Sequence, residues 1–229
     1  MRAKDVMTTN VVTVGSDTDV GTIARRLLER RISGVPVVDP EGRVVGIVSE
    51  GDLMRRPESG TERHPSWWLE LLATPQRARD YVKSHGLTAK DVMTRQVITV
   101  AEDATLAQVA TLLERHRIKR VPVIRDGRIV GIVSRANLLH GLVAREGAPA
   151  VTPDDTTIRQ HVIDGAKEAG IAEGYVNVVV AGGIVQIWGL VDSETESEAV
   201  RIAAETAPGV RAIENNVTVL PSSMRGGWA

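Results

Sequence analysis

The first two-thirds of the chain is written twice. Lys4-Asp-Val-Met-Thr8 returns as Lys90-Asp-Val-Met-Thr94, an offset of 86 that holds to Asp39 and Arg125. One residue is then lost in a turn, and the offset becomes 85 from Gly42 and Gly127 to Met54 and Leu139. Across these 49 aligned pairs 24 are identical. Unrelated segments match at a small fraction of that rate, so the stretches are a duplication, and a duplication decides the architecture before any single motif does.

Both copies carry the same pattern. Val11-Val12-Thr13-Val14 reads as a short strand. Val20, Ile23, Ala24, Leu27 and Leu28 then recur at helical spacing as one apolar stripe, matched by Leu106, Val109, Ala110 and Leu113. Val35-Pro36-Val37-Val38 and Val44 to Val48 are two apolar runs around a turn, as are Val121 to Ile124 and Ile129 to Val133 around Asp126-Gly127. Asp-Gly between apolar runs marks a hairpin. A second helix is expected from Ser49 and from Ser134. Each copy is therefore strand–helix–strand–strand–helix in about 55 residues, too small to bury a comfortable core alone. The expectation is a pseudo-symmetric α/β (α+β) pair with a cleft on each side of its seam.

Composition narrows the function. The chain has no Phe, so aliphatic side chains must fill the cores. It has no Cys, which removes disulfides and thiolate chemistry. No apolar run is long enough for a membrane span, and Met1 to Asp5 does not read as a signal peptide, so a cytoplasmic address is expected. Residues 1–149 hold 23 Lys/Arg against 18 Asp/Glu, and residues 150–229 hold 5 against 11. The first part suits an anionic ligand; the second repels nucleic acid and anionic lipid.

The residues Asp5-Val-Met-Thr8, the Val-Pro-Val strand and Gly46-Ile-Val-Ser49-Glu-Gly-Asp52, with Gly131-Ile-Val-Ser134-Arg-Ala-Asn137 in copy two, resemble the CBS (cystathionine-β-synthase-type) domain family. The resemblance implies paired domains, at 1–56 and 88–145, that bind an adenine nucleotide (AMP, ADP, ATP or a similar adenosyl ligand) and pair into a homodimer. It places phosphate and ribose at Ser49 and Asp52, and at Ser134 and Asn137 in copy two. It places adenine along Val11, Val12 and Ser33-Gly34-Val35-Pro36, and along Val97, Ile98 and Lys119-Arg120-Val121-Pro122. Ser49 at a strand-to-helix turn, with Asp52 one turn on, suits that chemistry. It equally reads as a capping box. Asn137 replaces the carboxylate, and Lys119, Arg120 and Arg135 add positive charge to copy two, or a solvated surface. The two sites are therefore expected to differ, the one using Asp52 preferring an adenosine moiety and the one using Asn137 leaning on phosphate.

Residues 57–87 read as a helical linker in which Trp67 and Trp68 are a candidate dimer contact or a lid, with Arg63 and His64 nearby, or else pack on their own chain. After a Gly- and Pro-bearing hinge, residues 152–221 read as helix–strand–strand–helix–strand. Val185-Gln-Ile-Trp-Gly189-Leu-Val191, Pro208-Gly209-Val210 and Asn215-Asn216-Val217 resemble the BON domain, which implies attachment to a protein partner or a membrane. The acidic balance argues against a lipid role and leaves a protein partner or another subunit. The five His have no metal-ligand spacing, and no nucleophile elbow, P-loop or dinucleotide fingerprint occurs, so no enzyme and no catalytic cofactor are expected. A regulatory binding module is the leading reading; a structural adaptor with empty clefts, an unrecognised enzyme and a membrane-surface protein are its rivals.

Overall fold

The computed structural model describes residues 1–54, 85–144, 152–171 and 175–220. The tryptophan pair, Arg63, His64, most of the expected linker and the hinge lie outside the described residues. The first copy contains α1 (Ala3–Val6), β1 (Val14–Gly15), α2 (Val20–Glu29), β2 (Gly34–Val38), β3 (Val44–Ser49) and α3 (Glu50–Leu53). The second contains α4 (Ala89–Val92), β4 (Val100–Ala101), α5 (Leu106–Arg115), β5 (Arg120–Arg125), β6 (Arg128–Ser134) and α6 (Arg135–Ala144). The C-terminal domain contains α7 (Pro153–Glu168), β7 (Val176–Ala181), β8 (Ile184–Val191), α8 (Glu194–Glu205) and β9 (Ala212–Val219).

By packing, the chain falls into two units. One comprises the described residues of Val12–Ile98 with Asp126–Ile129; the other comprises those of Met1–Val11, Thr99–Arg125 and Val130–Ala229. The repeat and the packing unit thus differ: each copy's opening segment is counted with the other copy.

In the first-copy unit β1 runs parallel to β2, with α2 as the crossover, and β2 pairs antiparallel with β3. Asp19 caps α2 by accepting from Thr22 N at 2.8 Å. The core is Val14, Ile23, Leu27, Val35, Val37 and Val48, completed by Ala89, Val92 and Met93 of the repeated opening segment. Leu28, expected on the buried stripe, is 78% exposed, because α2 lies on a narrow three-stranded sheet that covers only Val20, Ile23 and Leu27. The expected strand at 11–14 shrinks to Val14–Gly15, the length that finds partners on β2.

The open edge of β3 is closed by Thr94, whose N donates to Ile47 O at 2.9 Å while Ile47 N donates to Thr94 O at 3.0 Å. Met93 lies flat on Gly46; a Cβ there would overlap the Met93 sulfur and sit 2.8 Å from its Cγ. The second-copy unit repeats the device. Thr8 N donates to Ile132 O at 3.0 Å, Ile132 N donates to Thr8 O at 2.9 Å, and Met7 covers Gly131. Glycine at both places admits a thioether where any side chain would collide. The hairpin of this copy turns through Asp126 and Gly127, both at positive φ (51° and 77°), as expected of Asp-Gly.

Within the same unit the C-terminal sheet β7–β8–β9 is covered on both faces along β7 and β8, while β9 leaves Ala212, Glu214, Asn215, Asn216 and Thr218 exposed. One face meets α7 and α8 through Ile158, Val162, Val178, Ile187, Val200 and Ala204. The other turns Asn177, Val179, Gln186 and Trp188 toward α1 and α6, and Val179 and Gln186 are 0% and 6% exposed. Gly189, at φ +148°, crosses Tyr175 so closely that a Cβ would overlap its carbonyl oxygen. Asp155 ties α7 to the β7–β8 turn, accepting from Thr152 N (2.7 Å), Gly183 N (2.7 Å) and Gly182 N (3.1 Å). Burial works to raise its pKa, but these hydrogen bonds outweigh burial and hold it below the usual value.

Gly46→Ala should therefore cost about 1–3 kcal/mol, since Met93 must leave its seat. Met93→Ala in the same chain should recover part of that loss, read as non-additive urea midpoints; strictly additive effects would show that the two do not touch. The stability supplied by Asp155 should be whole above about pH 4 and fade as pH falls through its lowered folded-state value. Asp155→Asn should flatten that acid limb in denaturation curves, and an unchanged limb would argue against the assignment.

Candidate functional site

The first copy's expected residues converge at one end of its sheet. Gly34 and Ser49 are cross-strand partners, and Glu50 N donates to Ser33 O at 3.1 Å, so Ser33-Gly34 lies beside the start of α3. Asp52 Oδ2 accepts from Ser49 N at 3.0 Å and from Ser49 Oγ at 2.8 Å. Ser33, Ser49 and Asp52 are half-exposed and can meet a ligand with their side chains. Gly34, Val35 and Pro36 are buried, with Val35 at 0%. They have peptide groups, not side chains, to offer. Val12, Val97 and Ile98 are half-buried in the same unit; Val11 is half-buried and belongs to the other.

The second copy is built alike but closed. Ser134 N and Oγ donate to Asn137 Oδ1 at 2.8 and 2.6 Å. Asn137 Nδ2 donates to Val6 O at 2.9 Å, and the residue is 5% exposed. Both ends of the amide are thus engaged inside the protein, and the second copy's carboxamide ties down α1. Lys119 and Arg135 are exposed, Arg120 and Ser134 half-exposed, and Val121 and Pro122 buried. Arg135 N donates to Lys119 O at 3.2 Å, which repeats the Glu50–Ser33 contact.

The same three-residue cap recurs along the chain. Asp5 accepts from Arg2 N at 2.7 Å, Asp91 from Thr88 N at 3.0 Å, and Asp155 from Thr152 N at 2.7 Å. Capping therefore accounts fully for the Ser49–Asp52 geometry. What sets Asp52 apart from Asn137 and Asp155 is its access to solvent.

Sequence reasoning missed a group at the C-terminal domain. Arg159 of α7, 7% exposed, donates through Nε to Val178 O at 2.7 Å and through Nη2 to Met7 O. Burial lowers its pKa to about 10, and the nearby Asp5 carboxylate works against that fall. The available signal was spacing: Asp155 and Arg159 interrupt the apolar stripe that Val162 and Ala166 continue. His140 of α6 stacks on Trp188, ring centroids 4.9 Å apart and planes 8° from parallel, and its Nδ1 is 3.0 Å from Asn177 Nδ2. Burial lowers the His140 pKa. Among the described residues there is no cluster of metal-ligating side chains, and no helix long and apolar enough to cross a membrane.

Compared with protein-family models, residues 3–59 and 89–144 match the CBS domain and residues 154–221 match the BON domain. The protein MJ1426 of Methanocaldococcus jannaschii is 34% identical over 62% of this chain and 92% of its own length. The chloroplastic CBS domain-containing protein CBSX2 of Arabidopsis thaliana is 28% identical over 57% of this chain, which spans 58% of that relative. A crystal structure of CBSX2 in complex with AMP superposes with a TM-score of 0.56 at 27% identity, over 63% of this chain and 98% of that one.

Asn137→Ala should cost about 1–3 kcal/mol, since it strands the Val6 carbonyl and the Ser134 amide together. Asp52→Ala removes only a partly solvated cap and should cost about 0.5–2 kcal/mol. Thermal melts of both variants check this, and an Asn137→Ala protein as stable as wild type would contradict the buried tie.

Proposed function

The chain belongs to the CBS domain family, with a BON domain at its C-terminal end, and from that premise we propose that it is a regulatory protein that binds an adenine nucleotide through its first copy. Ser33, Ser49 and Asp52 form the polar face of that site: the Asp52 carboxylate accepts the ribose hydroxyls and the Ser49 hydroxyl meets phosphate. Backbone groups of Gly34 and Val35, with aliphatic Val12, Val97 and Ile98, serve the base. The observation that carries the reading is the half-exposed Ser49–Asp52 pair beside the Ser33–Gly34 strand start. The AMP held by the CBSX2 structure, a relative of comparable fold, supports it.

In the second copy Asn137 acts as a structural clamp. That copy's contribution to an anion is electrostatic, through Lys119, Arg120 and Arg135, with Val11, Val121, Pro122 and Ser134 as the framework around them. Occupancy is relayed along the Met7–Asn10 segment to the BON domain, because Arg159 grips the Met7 carbonyl while Thr8 is bonded to Ile132. A ligand can bias this docking only by its differential affinity for two states. A homodimer of CBS pairs and a protein partner on the BON domain belong to the same reading.

Titration of AMP, ADP and ATP into the full chain tests it. AMP at 100 times its Kd should stabilise the fold by about 2.7 kcal/mol. Asp52→Ala should weaken binding at least about tenfold, or about 1.4 kcal/mol, and Asn137→Ala much less. If no adenine nucleotide raises the melting temperature, the adaptor reading replaces this one.

A further inference from the structure

The C-terminal sheet ends in an open edge. Among the described residues β9 pairs with β8 alone, in parallel over Ala212–Val219, and no strand lies along its outer side. An edge strand of 8 residues presents a row of backbone donors and acceptors to any chain that can pair with it. The devices that usually blunt such an edge are missing here. β9 has no Pro, no Lys and no bulge, and its one charge is Glu214. A side chain of its own serves as a local substitute, since Val217 N donates to Asn215 Oδ1 at 3.2 Å.

The side chains along this edge are also half covered. Ile213, Val217 and Val219 pack on the core shared with α7 and α8, yet each stays half-exposed. Ile202 of α8, the helix that packs on β9, is 47% exposed. One more strand beside β9 would complete the cover over the three aliphatic residues.

The sequence of β9 fits a second copy of itself. Antiparallel pairing sets each side chain against one on its own face of the sheet. Centred on Asn215, it brings Ile213 against Val217 on the helix side, and Glu214 against Asn216 and Ala212 against Thr218 on the other. Apolar meets apolar, amide meets amide at the centre, and no carboxylate faces another. We propose that β9 is a homotypic interface, at which two chains join their C-terminal sheets edge to edge in this register about a two-fold axis. Such an interface is isologous and uses up both open edges. The two α8 helices then lie on the same face of a continuous six-stranded sheet. The contact joins two CBS pairs through residues that take no part in the nucleotide site.

The test uses the full chain at about 0.15 M salt, where repulsion between the acidic domains is screened beyond about 8 Å. The chain has no Cys, so single cysteines report on single positions. Asn215→Cys sits on the two-fold, where opposed Cα atoms lie about 4.5–5.5 Å apart, within disulfide reach. It should cross-link to its own copy under mild oxidation, and Thr195→Cys, exposed on α8, should not. Sedimentation gives a second reading that needs no cysteine. Asn216→Lys faces Glu214 and should tighten the association about twofold to thirtyfold, the worth of two opposite-charge cross-strand pairs. Asn216→Glu faces the same carboxylate and should weaken it by a similar factor, with AMP binding unchanged in both. The proposal is overturned if Asn215→Cys cross-links no faster than Thr195→Cys, or if the two Asn216 variants associate alike.

Discussion

Each three-stranded CBS sheet ends in an unpaired edge, and what closes that edge comes from the other repeat's opening segment. Thr94 bonds to Ile47 and Thr8 to Ile132, two backbone hydrogen bonds in each case. Met93 and Met7 then lie on Gly46 and Gly131, where no side chain competes for the space. Ala89 and Val92 are wholly buried on one core, as Ala3 and Val6 are on the other. Neither copy has a finished core without the other repeat's opening segment, which lies far off in sequence: Thr94 is 47 positions from Ile47, and Thr8 is 124 from Ile132. That dependence explains why so small a unit occurs twice: exposed sheet edges and half-covered apolar faces are costly, and duplication supplies the missing cover.

The exchanged segment also meets the C-terminal domain. Residues 7–10 leave the Gly131 seat, pass a cleft beside Arg159 and lead into Val11. The C-terminal sheet is clamped to the same unit by the Arg159–Met7 contact and the His140–Trp188 stack. Among the described residues the buried Asn177 Oδ1, Gln186 Oε1 and Trp188 Nε1, all on β7 and β8, have no hydrogen-bond partner in the protein. An interface with several unmet hydrogen bonds gives up stability relative to a fully satisfied one.

Much of the fold was legible because it depends on local rules. Asp126-Gly127 turns with both residues at positive φ, as that dipeptide favours. Pro208-Gly209 ends the last helix, and Gly189 marks a backbone crossing. The candidate site was legible only in part. Ser49 and Asp52 were found by motif and do lie together, but an identical cap forms at Asn137, where the amide is turned inward. A motif fixes the hydrogen bond within its own turn; whether the outer face of the carboxylate meets water depends on what packs over it. Leu28 failed in the same way, since a helical stripe says which residues align and not how wide a surface awaits them.

The order of residues by itself determined the duplication, the element sequence of each copy, the turns and the helix caps, all of which act over a few positions. Only the tertiary structure decided that opening segments pack with the opposite copy, that Asp52 stays half-exposed while Asn137 is buried, and that Arg159 is buried against a carbonyl from the far end of the chain. Those outcomes rest on contacts between residues up to 152 positions apart. No local pattern encodes them, because burial and charge compensation are properties of the assembled core.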